Sequence, residues 1–219
     1  MTETRAGDSP VRYPPAPWHM RGQLWGGFFA AASAPALPAD LSHLAPRSLA
    51  VLLIRYREGT LSYDEFIIGS LVRRGVRAGL YVHRIWVDDE RSLWGGRRIW
   101  GAPKRLAEFH WSDSQAHVTD REGLIATLAI RSRRTPRTPR LPLPLTGFGS
   151  LDGARTVFTA ACTARLASAT LHATQWPDRL PRLRKATSRF GFAGEHFHMT
   201  IPAPLVLAPV ADAEADRPR

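Results

Sequence analysis

The sequence predicts a mainly β (α+β) fold, an antiparallel β-barrel or curved double sheet with a few short flanking helices. Three observations predict it. Strand-like runs of five to ten residues recur along the chain. Glycine (17) and proline (18) together make 35 of 219 residues, about 16%, a share that suits many turns better than long helices. Most connections between the runs are short, which favours antiparallel neighbours over βαβ crossovers.

The elements follow in order. Residues 1–12 read as a disordered tail, and Pro14-Pro15-Ala16-Pro17 as an extended lead-in. Asp40–His43 could begin a short helix. Ser48–Arg57 (SLAVLLIRYR) is a buried apolar run closed by Glu58-Gly59, and Leu61–Ile68 (LSYDEFII) follows at once, so the pair reads as a hairpin. Ser70–Arg74 and Asp89–Leu93 could each hold a helical turn. Gly79–Asp88, Arg105–Trp111, Ala116–Asp120 and Leu124–Arg131 continue the strands, with Arg121-Glu122-Gly123 turning the last two. Beyond a Pro-Arg stretch come Thr156–Ala164, Arg165–Ala173 and Glu195–Ile201. Residues 211–219 form a polar tail, leaving one domain over 13–210.

Composition excludes several classes. No apolar run approaches the ~18–20 residues that span a bilayer, so no membrane partner is expected. The N-terminal MTETRAGDSPVRYPPAPW holds no apolar h-region, so a secretory leader is not expected and the cytoplasm is the default location. One cysteine, Cys162, rules out an intrachain disulfide framework and a Cys-based zinc cluster; among Ala160, Ala161 and Thr163 it reads as a small buried residue. Formal net charge is +11, and five arginines fall within Arg131–Arg140 without an acid. No zinc-finger, helix-turn-helix or Gly-aromatic ribonucleoprotein pattern accompanies them, so the run reads as a solvated loop and nucleic acid is not an expected partner. Glu195-His196-Phe197-His198 has two histidines at a spacing that metals use. With no third ligand nearby, it does not read as a metal site.

The lysines are the sharper signal. Of thirty Lys and Arg residues only Lys104 and Lys185 are lysine. A chain that writes arginine almost everywhere keeps lysine where an amine is required, because arginine stays protonated and is no amine nucleophile. Lys104 sits in Gly95-Gly-Arg-Arg-Ile-Trp-Gly-Ala-Pro-Lys-Arg-Leu-Ala107, where glycines and Pro103 force a tight approach just before a strand. Desolvation and an adjacent cation, here Arg105, both favour the neutral amine. Lys185, in the basic run Arg182-Leu-Arg-Lys185, reads as an exposed ordinary lysine. Strand alternation along LSYDEFII puts Leu61, Tyr63, Glu65 and Ile67 on one face, with Asp64 on the other, solvent-side or structural. A carboxylate on an apolar face must be paired or protonated, so Glu65 is either an acid/base group or a buried arginine's partner.

Gly96-Arg97, a spacer through Ala102 and Pro103-Lys104-Arg105 resemble the acetoacetate decarboxylase superfamily, whose signature is a Gly-Arg pair followed by Pro-Lys-Lys. Upstream, Pro14–Trp18 with Arg21-Gly22 resembles the family's Pro-Trp segment, and Tyr63-Asp64-Glu65 its Tyr-x-Glu strand. The resemblance covers residues 12–175. It implies an acetoacetate decarboxylase-like fold, at least a dimer, no cofactor, and a Schiff base between Lys104 and a small-molecule oxo acid or ketone. By the same carry-over Lys104, Glu65 and Arg105 would be catalytic, while Arg21, Tyr63, Trp100 and Arg97 would bind substrate. A lysine beside another cation is the activation for which acetoacetate decarboxylase is the standard example. The implied function is a carbon-carbon lyase that decarboxylates a β-keto acid through an iminium and enamine. Alternatives are an aldolase/dehydratase or cyclase using the same lysine in biosynthesis, and a non-catalytic ligand-binding barrel or basic nucleic-acid binder. Three departures stand out: Arg105 replaces the second lysine, Arg98 the glutamate after Gly-Arg, and Ala50 a further glutamate.

Overall fold

A computed structural model of the chain describes residues 11–132, 139–143 and 145–208. It contains strands β1 (Trp18–Ala30), β2 (Ser42–His43), β3 (Ser48–Gly59), β4 (Tyr63–Arg74) and β5 (Arg77–Val87). Helix α1 (Glu90–Gly95) runs into a π-helical turn, Gly96–Trp100. Strands β6 (Lys104–Leu106), β7 (Glu108–Trp111), β8 (Gln115–Asp120), β9 (Gly123–Ser132), β10 (Leu141–Pro142) and β11 (Leu145–Leu151) follow. The chain continues through β12 (Ala154–Gln175), β13 (Phe190–Ile201) and β14 (Leu205–Leu207). No helix among the described residues is long and apolar enough to cross a membrane.

The ladder path runs β12–β11–β5–β4–β3–β1–β13 and returns to β12, so these strands close into a barrel. A second, outer sheet continues from the far end of β12 through β9, β8 and β7. Alternation along β3 and β4 feeds two cores. Tyr56 and Ile54 of β3, with Tyr63 and Ile67 of β4, point into the barrel beside Trp18, Trp100 and Phe197. Leu49, Val51, Leu53, Phe66 and Ile68 point outward and pack against Val118, Ile125, Leu128 and Leu171 beneath the outer sheet. Burial on both faces explains why these strands read as nearly unbroken apolar runs.

The expected hairpin is β3–β4, with Tyr56 opposite Tyr63. Asp89 caps α1 by accepting from Ser92 N at 2.8 Å, which accounts for the helical turn read there. Other readings are corrected. Ser70–Arg74 is strand, its Leu71 and Val72 paired with Leu80 and Gly79 of β5. Asp40–His43 is a turn and the short β2, paired with Arg73 and Val72. Thr156–Ala164 and Arg165–Ala173 form one strand of 22 residues, β12, with a register shift between Thr163 and Arg165. Sequence reading missed β1, whose Gly22, Gly26 and Gly27 dilute the strand signal. Two pairings are parallel, β5 with β6 and β5 with β11. The tails at 1–12 and 211–219 lie outside the described residues except Val11 and Arg12, as does most of Arg131–Arg140.

Candidate active site

Lys104 opens β6, and its parallel pairing with Ile85 turns its side chain into the barrel. The π-helical turn makes this possible. Its last residue is followed by Gly101 at φ 69°, and a Cβ there would strike the Ser150 carbonyl. A Cβ at Gly96 would collide with Cδ and Cε of Lys104, so the lysine stem lies directly over a bare stretch of backbone. Arg97 Nε donates to the Lys104 carbonyl at 2.8 Å and fixes the strand from outside.

Inside, Lys104 Nζ donates to Glu65 Oε2 at 2.8 Å and Ser92 Oγ at 2.9 Å, with a longer approach to Tyr63 Oη at 3.4 Å. Three donors meet three acceptors, the full capacity of an ammonium. Tyr56 Oη donates to Glu65 Oε1 at 3.2 Å, so both carboxylate oxygens are engaged. The side chains of Lys104 and Glu65 are 7% and 5% exposed. Burial first, and the Glu65 charge second, push the phenols of Tyr56 and Tyr63 well above the ordinary tyrosine range, so both remain O–H donors. The Nζ also lies 5.0 Å from the Tyr63 ring centroid and 6.0 Å from that of Trp18. Trp18 meets Trp100 edge to face at 4.7 Å, and Trp100 Nε1 donates to the Pro202 carbonyl at 2.8 Å.

These groups border a cavity of about 430 Å³ inside the barrel. Glu65 and Lys104 are its only acid and base among the described residues that line it; aliphatic and aromatic side chains supply most of the remainder. Lone-pair chemistry at Nζ requires loss of one ammonium proton. The 2.8 Å bond to Oε2 provides a route for that proton which leaves the net charge of the pair unchanged.

The structure thus brings Lys104, Glu65, Tyr63 and Trp100 together around one cavity. It does not bring Arg105, Arg21 or Arg97 there. Arg105 follows Lys104 on a strand and is exposed on the opposite side, so the charge beside Nζ is the carboxylate of Glu65 and not a guanidinium. Arg21 alternates with the buried Trp18 and Met20, points outward, and lies 3.5 Å from Glu58 with 61% of its side chain exposed. Arg97 lines an outer groove with Arg105. Of the two readings of Asp64 the structural one holds and the solvent-side one does not. Asp64 is buried, accepts from Trp111 Nε1 at 2.7 Å and pairs with Arg57 at 2.8 Å, tying β4 to the outer sheet. Lys185 is exposed. Cys162 is buried, and burial pushes its thiol up to about 11.

Sequence reasoning missed Ser92 and Tyr56 as site residues. The hairpin register held the signal for Tyr56, which faces Tyr63 across the ladder. Ser92 gave none, since a serine in a first helical turn reads as part of a cap.

Comparison with known proteins gives the same frame. No curated protein matches the chain. Among solved structures, an acetoacetate decarboxylase from Legionella pneumophila is 18% identical with a TM-score of 0.66, over 94% of this chain and 93% of that one. The enduracididine biosynthesis enzyme MppR, complexed with the condensation product of pyruvate and imidazole 4-carboxaldehyde, is 14% identical with a TM-score of 0.64, over 92% of each chain. An acetoacetate decarboxylase-like enzyme from Sphingomonas wittichii RW1 is 12% identical with a TM-score of 0.65, over 95% of this chain and 100% of that one. At these identities the likeness is one of fold. The acetoacetate decarboxylase (ADC) family profile matches residues 29–139, half of the chain, and with it the hairpin, the π-helical turn and Lys104: the chain belongs to the acetoacetate decarboxylase family.

Proposed function

We propose that this protein is a Schiff-base-forming lyase that decarboxylates a β-keto acid through Lys104. The observation that carries the reading is a buried lysine held 2.8 Å from a buried carboxylate at the wall of an apolar cavity. Glu65 takes a proton from Nζ, and the freed amine attacks the substrate ketone. Loss of water from the carbinolamine leaves an iminium. The bond from the α-carbon to the carboxylate then breaks, carbon dioxide departs, and its electron pair forms the enamine. Glu65 gives its proton to the departing water, is reprotonated from solvent and delivers that proton to carbon, which regenerates the iminium, and water then releases the ketone. Trp100 and Trp18 exclude water from the reacting end. Arg21, Arg97 and Arg105 have no part in this scheme, because none lines the cavity.

A second reading, aldol addition or dehydration from the same enamine, draws on one observation. Among the described residues no cation other than Lys104 lines the cavity, so a substrate carboxylate meets no separate partner. The MppR complex holds a condensation product, a precedent for that chemistry on this fold.

Borohydride added with a β-keto acid, followed by intact-mass and peptide analysis, tests the mechanism shared by both readings. A single reduced adduct at Lys104, absent from Lys104→Arg, is expected. Normal turnover by Lys104→Arg would sink both. Carbon dioxide release in step with ketone formation separates decarboxylation from aldol chemistry.

A further inference from the structure

The cavity is much longer than the reacting groups require. On β4, Glu65, Ile67 and Leu71 all line it; on β3, so do Tyr56, Leu52 and Ala50. Glu65 to Leu71 is six residues, as is Tyr56 to Ala50, and at ~3.3 Å per residue each spans about 20 Å. Lys104 and Glu65 close one end. The other end reaches the surface at Leu44, which is 50% exposed and whose backbone N–H bonds the Leu71 carbonyl at 2.9 Å. Spreading about 430 Å³ over that length gives a mean bore on the order of 20 Å², about one hydrocarbon chain across. A four-carbon keto acid has about seven non-hydrogen atoms. At a water-like ~30 Å³ each they would fill at most about half the volume.

The chemistry of the wall is as uniform as its shape. Between the Glu65 end and the mouth the lining is Phe28, Ala50, Leu52, Leu71, Leu80 and other apolar groups; Thr146 also lines it, but its hydroxyl bonds that of Thr159 at 2.9 Å. A charged or hydroxylated tail would lose its hydration there without compensation. An unbranched apolar tail gains about the transfer free energy of each methylene. On the reading that Lys104 forms the Schiff base, we infer that the substrate is a long-chain 3-oxo acid, seated with its carbonyl at Lys104 and its alkyl tail running along β3 and β4 towards Leu44.

A homologous series of 3-oxoalkanoates, starting from 3-oxobutanoate, tests this through kcat/KM for carbon dioxide release and through borohydride trapping. Each added methylene is expected to raise kcat/KM about threefold to fourfold until the bore is filled. Ala50→Phe, which blocks the bore at the level of Gly69, four residues beyond Glu65 towards the mouth, moves the maximum to a shorter chain, and the milder Ala50→Val moves it less. In parallel, unbranched primary alcohols, which cannot form an imine, should displace a solvatochromic naphthalene dye with the same chain-length trend. A flat or falling series with 3-oxobutanoate still trapped at Lys104 overturns the long-chain substrate and leaves the Schiff base standing. Chain-length-dependent displacement by alcohols with no adduct from any oxo acid supports the bore and overturns the Schiff base.

Discussion

Breaking a buried ion pair costs more than the pair contributes, because the surviving charge keeps its desolvation penalty and loses its partner. The Lys104–Glu65 pair is of this kind. Glu65→Leu and Lys104→Met are each expected to lower unfolding free energy by about 3–5 kcal/mol, and the Lys104→Met/Glu65→Leu double variant by much less than the sum. Urea unfolding of the cycle measures it; additive losses would mean that the two groups do not act as a pair. Gly96→Ala tests the packing around the amine without touching either charge. Its methyl would displace the Lys104 stem, so borohydride trapping should fall at least tenfold while circular dichroism stays native. Lys104, Glu65 and Tyr63 were legible in the sequence because a rare residue type, a motif and a two-residue alternation pointed to one face. Arg105 misled for the same reason: on a strand, the residue next to a buried one faces away.

At the scale of elements, irregular positions decide which side chains face inward. In β4–β5 the register passes from Ile68↔Arg84 to Gly69↔Val82, leaving His83 as the extra residue of a bulge. The inward set of β5 changes there from Ile85 to Val82, Leu80 and Ala78, a parity switch that no two-residue pattern reveals. His83 donates to or accepts from Ser70 Oγ at 2.8 Å, and burial, reinforced by His43 and Arg84, lowers its pKa from 6.5 to about 4. Between pH 6.5 and about 4 the unfolded chain therefore binds a proton that the folded chain refuses. Stability rises with pH across that window and is lost as pH falls through it. Because His83 is only partly buried, solvent screening reduces the effect to on the order of 1–2 kcal/mol. His83→Gln should flatten the corresponding slope in unfolding free energy, and an unchanged slope would exclude this histidine as its source. Gly101→Ala, at φ 69° against the Ser150 carbonyl, is expected to cost about 2 kcal/mol or more by the same measurement.

Over the whole molecule, the strand-rich class and the antiparallel hairpins were legible because they depend on neighbours in sequence. Which strands close the expected barrel was not, since the closure joins β5 to β11 across some seventy positions. Nor was the double service of β12, whose first half completes the barrel and whose second half founds the outer sheet. The closing ladder is also the shortest in the ring: Gly147↔Leu80 and Phe148↔Tyr81 stand against eleven paired positions between β1 and β3, from Met20↔Gly59 to Ala30↔Ser48. Hydrogen exchange should reflect this, with amides of β11 facing β5 exchanging well before those between β3 and β4. Equal protection along both would remove the distinction. Leu80, Gly147 and Phe148 belong both to this ladder and to the cavity wall. Parting it would open the barrel sideways along a slit, with every other strand still in register. Anything held in the cavity would then have a way out through the wall as well as along the axis, at a rate set by two residue pairs and not by unfolding of the whole barrel.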